Sequence, residues 1–568
     1  MNEQACLPKD GHAFFPFHAG ASVFVHLHCH SHYSFLRGVA SPEEIIAAAV
    51  EQNMPAVALT DTNGLYAAVQ FCKLAQEAKI KAIVGVVLGT EFLMSTDPSA
   101  TLRAKALRNS KNETQNSASA SLTLLAADME GYSNLCQLVT LRHLGTTQLS
   151  QNTNSAETDG RPVTLQELAD HSRGVIALSP AASPASRITN HFSQLKEIFG
   201  DRLYIEVQHL SPGDGRVLRE AERLGRELRV RLVVTNNVHF LRPEEHLHHR
   251  AVNAIRTGGL LTTVAPPEIT TGEAWFKPAA EMKRLFPDHP EWLQATLEIA
   301  DRCNLQLELG KRIFPEFAVP EGETPDSYLE KVSLEGARKR YHSVTPEVHE
   351  RLMRELGVIK KWSLAPYFLL VLDIVKEARR RGIPAVARGS AASSMVTYCL
   401  GISRVCPLRW GLYFERFLNE QRGDCPDIDI DICGARRDEL LDYVYEHWGS
   451  EHVAMISSFV TMHARLAVRE VAKVFGVPPG EVDRFTKRLP HRPVREILQA
   501  IRALPECRDL PIDDEPWKTI LQVALRLDDA PRHLGIHPCG TVISARPLTW
   551  LTPLERGNHR AEIGRAHV

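Results

Sequence analysis

No two of the eleven cysteines stand in a CxxC pair, and they are scattered along all 568 residues. That spacing excludes the usual structural zinc site and a disulfide framework, and it suits a reducing cytoplasm. No apolar run reaches the length of a membrane span, so no membrane partner is expected. The opening "MNEQACLPKDGHAFFPFH" lacks the charged-then-apolar order of a secretory leader. Charge of one sign is not in excess either, since the formal net charge is −2. A nucleic-acid binder of this size must then concentrate its positive charge locally. No internal repeat is present. What remains is 44% apolar and 24% charged, an ordinary globular composition, in a chain too long for one hydrophobic core.

From about residue 22 to 290, short apolar strands alternate with amphipathic helices. "SPEEIIAAAVEQN" predicts a helix and "PAVALT" the strand after it. "YAAVQFCKLAQEAKI" and "KAIVGVVLG" repeat the pair, and "GVIALS" and "RLVVTNN" add further strands. This βα repetition predicts an α/β region with a parallel sheet or barrel. Two polar, Ser/Asn-rich stretches, 95–121 and 146–162, read as surface insertions. Beyond 290 the pattern turns helical, as in "TPEVHERLMRELGVIKKW" and "YFLLVLDIVKEARRRG".

The chemistry gathers in residues 383–433. In "GDCPDIDIDICGARRDE", Asp427, Asp429 and Asp431 alternate with isoleucines. On a strand the aspartates share one face and Ile428 and Ile430 the other. One reading is a half-buried strand with a wet acidic face. The other is a divalent-metal site, because hard cations take carboxylate oxygens and substrate phosphates. Two such carboxylates suit a pair of ions that clamps a phosphoryl displacement. Upstream, "IPAVARGSAASS" runs a strand into a small-residue turn and an apolar helix. Backbone N–H groups at Gly389 and Ser390 and the helix N-terminus could meet an anion there. Arg388 flanks the turn, and Arg416 and Arg422 precede the aspartates. Turn, arginines and carboxylates together describe a nucleoside-triphosphate site with metals.

"ARGSAASSMVTYCLGI", "LYFERFLNEQR" and "PDIDIDICGARRDELLDYVYEHWG" resemble the palm of the bacterial C-family DNA polymerases, the DNA polymerase III alpha type. "GVIKKWSLAPYFLLVLDIVKEARRRGIP" resembles the approach to that palm, and "RHLGIHPCGTVIS" its continuation, with Cys539 where a glycine is usual. The resemblance implies a DNA-directed DNA polymerase of the replicative or error-prone branch, with a polymerase-beta-like nucleotidyltransferase palm. It implies that Asp427 and Asp429 are catalytic and carry two Mg²⁺ ions, with Asp431 not a principal ligand. Arg388, Gly389, Ser390, Arg416 and Arg422 match positions near the incoming dNTP. Primer–template DNA, a sliding clamp and other replisome subunits are the implied partners. "HARLAVREVAK" and "DRFTKRLPHRPVRE" match the thumb.

The amino-terminal part resembles the PHP domain that opens such polymerases, a distorted (β/α) barrel that in active members holds a His, Asp and Glu metal cluster. His28, His30, Asp61 and His239 stand at matching positions. Arg37, Thr62, Val87, Ser121 and Asn237 stand where the family has ligands. An arginine in a cation cluster opposes a trinuclear site, so PHP metals are expected to be absent or weak and the domain a structural relic.

The implied layout is a PHP domain at 22–290, palm at 291–455, inserted helical thumb at 456–530, and palm again at 531–556. The third catalytic carboxylate and the fingers expected from the resemblance are not found, so the chain alone is expected to be inactive. Residues 557–568 end in "EIGRAHV", which a common sequencing adapter would encode, and are expected to be artefactual. Two other functions compete: a metal-dependent phosphoesterase or 3′ exonuclease working through the PHP domain, and a non-catalytic DNA-binding fragment.

Overall fold

The computed structural model describes residues 24–93, 117–145, 160–181, 185–266, 269–310, 313–419, 426–555 and 563–564. Arg422, most of both polar stretches, and all of the final twelve residues but Ile563 and Gly564 lie outside them. The chain forms two compact units: Met1–Leu309 with Ile456–Pro538 and Thr549–Val568, and Gly310–Met455 with Cys539–Leu548.

The first unit is built on a six-stranded sheet of β1 (Ala56–Thr62), β2 (Lys81–Leu93), β3 (Ser117–Ala126), β4 (Val175–Pro180), β5 (Leu203–Val207) and β6 (Arg231–Val234), in that order. β1 and β2 are parallel, and so are β4, β5 and β6. Their near-continuous apolar runs are what strands covered on both faces require. Helix α1 (Pro42–Glu51) begins where the sequence predicts, with Ser41 and Glu44 forming a reciprocal capping box.

One strand departs from expectation. β3 runs antiparallel to both β2 and β4, and its first residues, Ser117–Ser121, belong to the stretch read as an insertion. Small polar residues carry little strand propensity, but the backbone groups of the long β2 need a partner, and pairing overrides propensity.

Residues 24–30 lie between β1 and the chain that follows β6. Ala58 N–H donates to the His26 carbonyl (2.9 Å) and Thr60 N–H to that of Cys29 (2.8 Å). On the other side His30 N–H donates to Val238 (2.8 Å), with a parallel bridge between Cys29 and Val238. The sheet is thereby curled into a distorted, nearly closed barrel. Helix α2 (Pro290–Arg302) packs Ala295, Ile299 and Ala300 against Val25, Leu27, Ala58 and Ile83. A further core joins α3 (Ala464–Val474) and α4 (Trp517–Leu525) to the barrel, with Val468, Val471 and Ile520 packed together with Phe240, Val252 and Ile255.

In the second unit α5 (Pro325–Tyr341), α6 (Pro346–Lys361) and α7 (Ala365–Arg380) surround Leu329, Leu352, Phe368 and Val375. All three carry proline in the first turn, where its missing N–H costs nothing. Against them sit a two-stranded ribbon of β7 (Ala385–Ala387) and β8 (Ile430–Ile432) and the short helix α8 (Met395–Cys399).

Candidate functional site

The aspartate ladder is shorter as a strand than its sequence suggests. Only Ile430–Ile432 pairs, antiparallel to Ala385–Ala387, with Val386 opposite Asp431. Asp427 and Asp429 lie in the extended chain just before it. The alternation nonetheless holds: Asp427, Asp429 and Asp431 are exposed, and Ile428, Ile430 and Ile432 are half-buried. The isoleucines rest on apolar clusters around Met395 and Leu440. Tyr367 fixes the segment's entry, its hydroxyl accepting from Ile428 N–H at 2.9 Å.

Arg388 joins the turn to the ladder. Its backbone N–H donates to the Asp429 carbonyl (3.0 Å), its Nε to Asp431 Oδ1 (2.8 Å), and its guanidinium lies 3.7 Å from Asp429 Oδ2. Gly389 has φ +66°, a left-handed conformation suited to glycine. A Cβ placed on it would stand 3.5 Å from Asp429 Oδ2, so the missing side chain keeps open the space beside that carboxylate. Ser390 is half-buried in the 3₁₀ turn Gly389–Ser393. Arg416 is exposed at the end of another 3₁₀ turn, Phe414–Arg416, with no ion pair to the aspartates among the described residues.

The helix N-terminus is not free for a phosphate, contrary to the sequence reading. Glu355 of α6, fully buried, places Oε2 2.7 Å from Met395 N–H, 3.3 Å from Val396 N–H and 2.8 Å from Ser394 Oγ. Arg351 Nε donates to its other oxygen at 2.6 Å. Burial pushes the Glu355 carboxyl above its ordinary value, against the pull of Arg351 and Ser394. An internal carboxylate therefore takes the positive end of α8. An incoming anion is left the Gly389–Ser390 backbone and Arg388.

Two exposed carboxylates with open space beside one of them offer hard oxygen donors of the kind Mg²⁺ prefers. That donor set fits divalent metal at Asp427 and Asp429.

In the barrel, His28, His30 and His239 do come together. The Nε2 atoms of His28 and His30 are 3.1 Å apart, and the His30 and His239 rings are centred 4.3 Å apart. Burial, with His239, His28 and Arg37 nearby, holds the His30 imidazole well below its ordinary value. Burial and His249 do the same for His239. Asp61 is heavily engaged: it accepts from Ser31 N–H (2.7 Å), Ser31 Oγ (2.8 Å) and Ser34 Oγ (2.6 Å). Burial pushes its carboxyl up to about 6 despite these donors. Thr62 Oγ1 and Ser34 Oγ flank His30 Nδ1, and Asn237 Oδ1 stands 3.2 Å from its Nε2.

The sequence reading missed Glu206. It is 2% exposed, next to last in β5, and its Oε1 receives His28 Nδ1 and Thr235 Oγ1, each at 2.6 Å. Burial raises Glu206, but His28, Thr235 and Gln208 outweigh it and hold the carboxyl below its ordinary value. A lone Glu within an apolar strand, "LYIEVQH", was the available signal. No group of three His, Cys, Asp or Glu with metal-holding geometry exists among the described residues. The donor set does not fit a multinuclear cluster: Asp61 is spent on hydroxyls, Glu206 on His28, and Arg37 adds positive charge.

Residues 26–210 match the PHP domain family, and residues 327–565 the bacterial DNA polymerase III alpha NTPase domain. An error-prone DNA polymerase of Symbiobacterium thermophilum is 37% identical over 552 residues, covering 94% of this chain and 48% of that protein. The DNA polymerase III alpha subunit of Caulobacter vibrioides is 34% identical over 550 residues, covering 94% and 46%. A solved structure from Bifidobacterium adolescentis, described as a metal-dependent phosphoesterase, covers 38% of this chain and 87% of its own at 12% identity and TM-score 0.24. The two family matches define a chain in which a PHP domain precedes a polymerase NTPase domain. Over 94% of its length the chain is similar to bacterial proteins named error-prone DNA polymerase or DNA polymerase III subunit alpha. It spans about half the length of the curated relatives it matches.

Proposed function

We propose that this chain supplies the PHP domain and part of the palm of a template-directed DNA polymerase. In that reading Asp427 and Asp429 hold Mg²⁺, which would supply charge neutralisation and polarisation at the transferring phosphoryl group. The observation that carries it is the meeting of the Gly389 turn, Arg388 and the exposed carboxylates on one surface. Gly389 and Ser390 present backbone to the dNTP phosphates. Arg388 orients the carboxylates, and with Arg416 it supplies positive charge for the triphosphate. The substrates are dNTPs and primer–template DNA.

The test is primer extension by a chain extended to the full length of its relatives. Asp427→Asn and Asp429→Asn should each lose several orders of magnitude in kcat, while Asp431→Asn is milder. Near-normal extension by Asp427→Asn sinks the assignment.

We infer further that the PHP domain carries no hydrolytic activity. The Asp61 hydrogen bonds to Ser31 and Ser34 and the His28–Glu206 pair support a structural role.

A further inference from the structure

The second unit holds a second charged concavity that the polymerase reading does not use. It encloses about 570 Å³, within the range of small-molecule sites, between α5, α7 and the chain leaving α8. Five cations line it, Lys339, Arg340, Lys376, Arg379 and Arg404, against one carboxylate, Glu335. None of the five forms an ion pair among the described residues. Elsewhere in the same helices arginines pair readily, as Arg380 and Arg381 do with Glu377.

Two of the arginines are held by backbone instead. Arg379 donates to the Gly401 carbonyl, and Gly401 at φ +74° leaves room that a side chain would take from the guanidinium. Arg340 donates to the Ser403 carbonyl at 3.2 Å and lies 4.6 Å over the Tyr398 ring. Gly336 lets α5 approach the end of α8, where a Cβ would collide with the Cys399 carbonyl. The walls are therefore closely packed and the guanidinium groups pre-positioned. Burial and the like charges of Arg340 and Arg404 lower the Arg379 guanidinium from its ordinary value.

Helix C-termini attract cations, by about 0.3–1 kcal/mol each. That explains Lys339, Arg340 and Arg379, which stand in last turns. It does not explain Lys376, a turn earlier, or Arg404, beyond α8, both exposed and facing the same space.

We propose that this cleft binds a small polyphosphate anion, inorganic pyrophosphate or the phosphate tail of a nucleotide, at a site separate from the acidic one. Several phosphates are needed to offset so many cations, and arginine forks match phosphate oxygens bidentately. Val332, Leu372 and Leu400 give the lining an apolar part that a nucleotide's sugar or base could cover. A nucleic-acid strand is disfavoured, because strand paths pair cations with open aromatic platforms, and the Tyr398 ring is already covered by Arg340.

The experiment is calorimetric titration of the whole chain with pyrophosphate and with a nucleoside triphosphate, run side by side without divalent cation. Saturable binding is expected. It should weaken at least about tenfold in the double variant Lys376→Glu/Arg404→Glu, partly recover in Arg404→Lys, and persist in Asp427→Asn. Tighter binding of the nucleotide assigns the apolar lining to its base or sugar, and equal binding assigns the site to the phosphates alone. Circular dichroism melts confirm folding of each variant. Absence of binding by both ligands at millimolar concentration overturns the proposal, as does binding unchanged in the double variant or lost in Asp427→Asn. A short single-stranded oligonucleotide that binds more tightly than both, and is lost in the double variant, overturns it in favour of a strand path.

Discussion

Glu355 and Met395 are forty residues apart, yet a carboxylate oxygen of the first lies 2.7 Å from the backbone N–H of the second. That contact anchors α8, and through it the Gly389–Ser393 turn, to the rigid helix α6. Glu355→Ala leaves Arg351 and the start of α8 without their buried partner. It should cost roughly 2–4 kcal/mol, with Glu355→Gln milder because its amide oxygen can still accept. Denaturant unfolding of the two variants checks this. Equal midpoints for wild type and alanine variant would show that water replaces the carboxylate.

Duplex DNA should bind weakly and with a modest salt slope. The basic residues expected to form the thumb are largely paired: Arg469 with Asp483 (2.8 Å), Arg488 with Asp509, and Arg495 with Asp528 (3.1 Å). Each pair leaves less charge for counterion release. Fluorescence anisotropy from 50 to 200 mM salt measures the slope. Asp483→Asn should steepen it by releasing Arg469. An affinity that does not change with salt removes the thumb assignment.

The whole chain should release no nucleotides from a 3′ end and no phosphate from phosphoesters with Mn²⁺, Zn²⁺ or Mg²⁺. His28 and His30 can hold one ion weakly, so metal analysis should find less than one equivalent. Glu206→Gln should weaken that retention, because the carboxylate aligns His28. Metal-dependent hydrolysis abolished by His28→Ala would make the domain a nuclease.

Acid should destabilise the barrel through His191, whose imidazole burial lowers from 6.5 to about 4. Its Nε2 meets Ser179 Oγ at 2.8 Å. The unfolded chain takes up a proton near pH 6.5 and the folded one only near 4. Stability is thus intact above pH 6.5 and falls as pH drops toward 4, on the order of 1–2 kcal/mol by pH 5. Unfolding midpoints at pH 7 and 5 should differ less in His191→Gln. An unchanged difference removes His191 from the acid response.

The strands and helices were legible where burial imposes a period. α1 announces itself by Ser41 and Glu44, and β1 by a run of apolar residues. The aspartate alternation survived because its isoleucines have a core to rest on. β3 was illegible at its start, since Ser and Ala acquire strand geometry only from β2 beside them. Glu206 and Glu355 were missed for a related reason. Each acts on a partner many residues away, His28 and Met395, and no local spacing records a tertiary contact.

The first unit closes its core with sequence made late. Leu36, Val39, Phe240 and Val252 share a cluster with Met462, Val468 and Leu521, although more than 150 residues lie between Leu309 and Met462. At ribosomal speeds of about 5–20 residues per second, the barrel waits roughly 8–30 s for its cover. During synthesis the barrel is therefore a nascent-chain client with an uncovered apolar side. Slow translation across the intervening helices lengthens that exposure, and a stop codon placed among them makes it permanent.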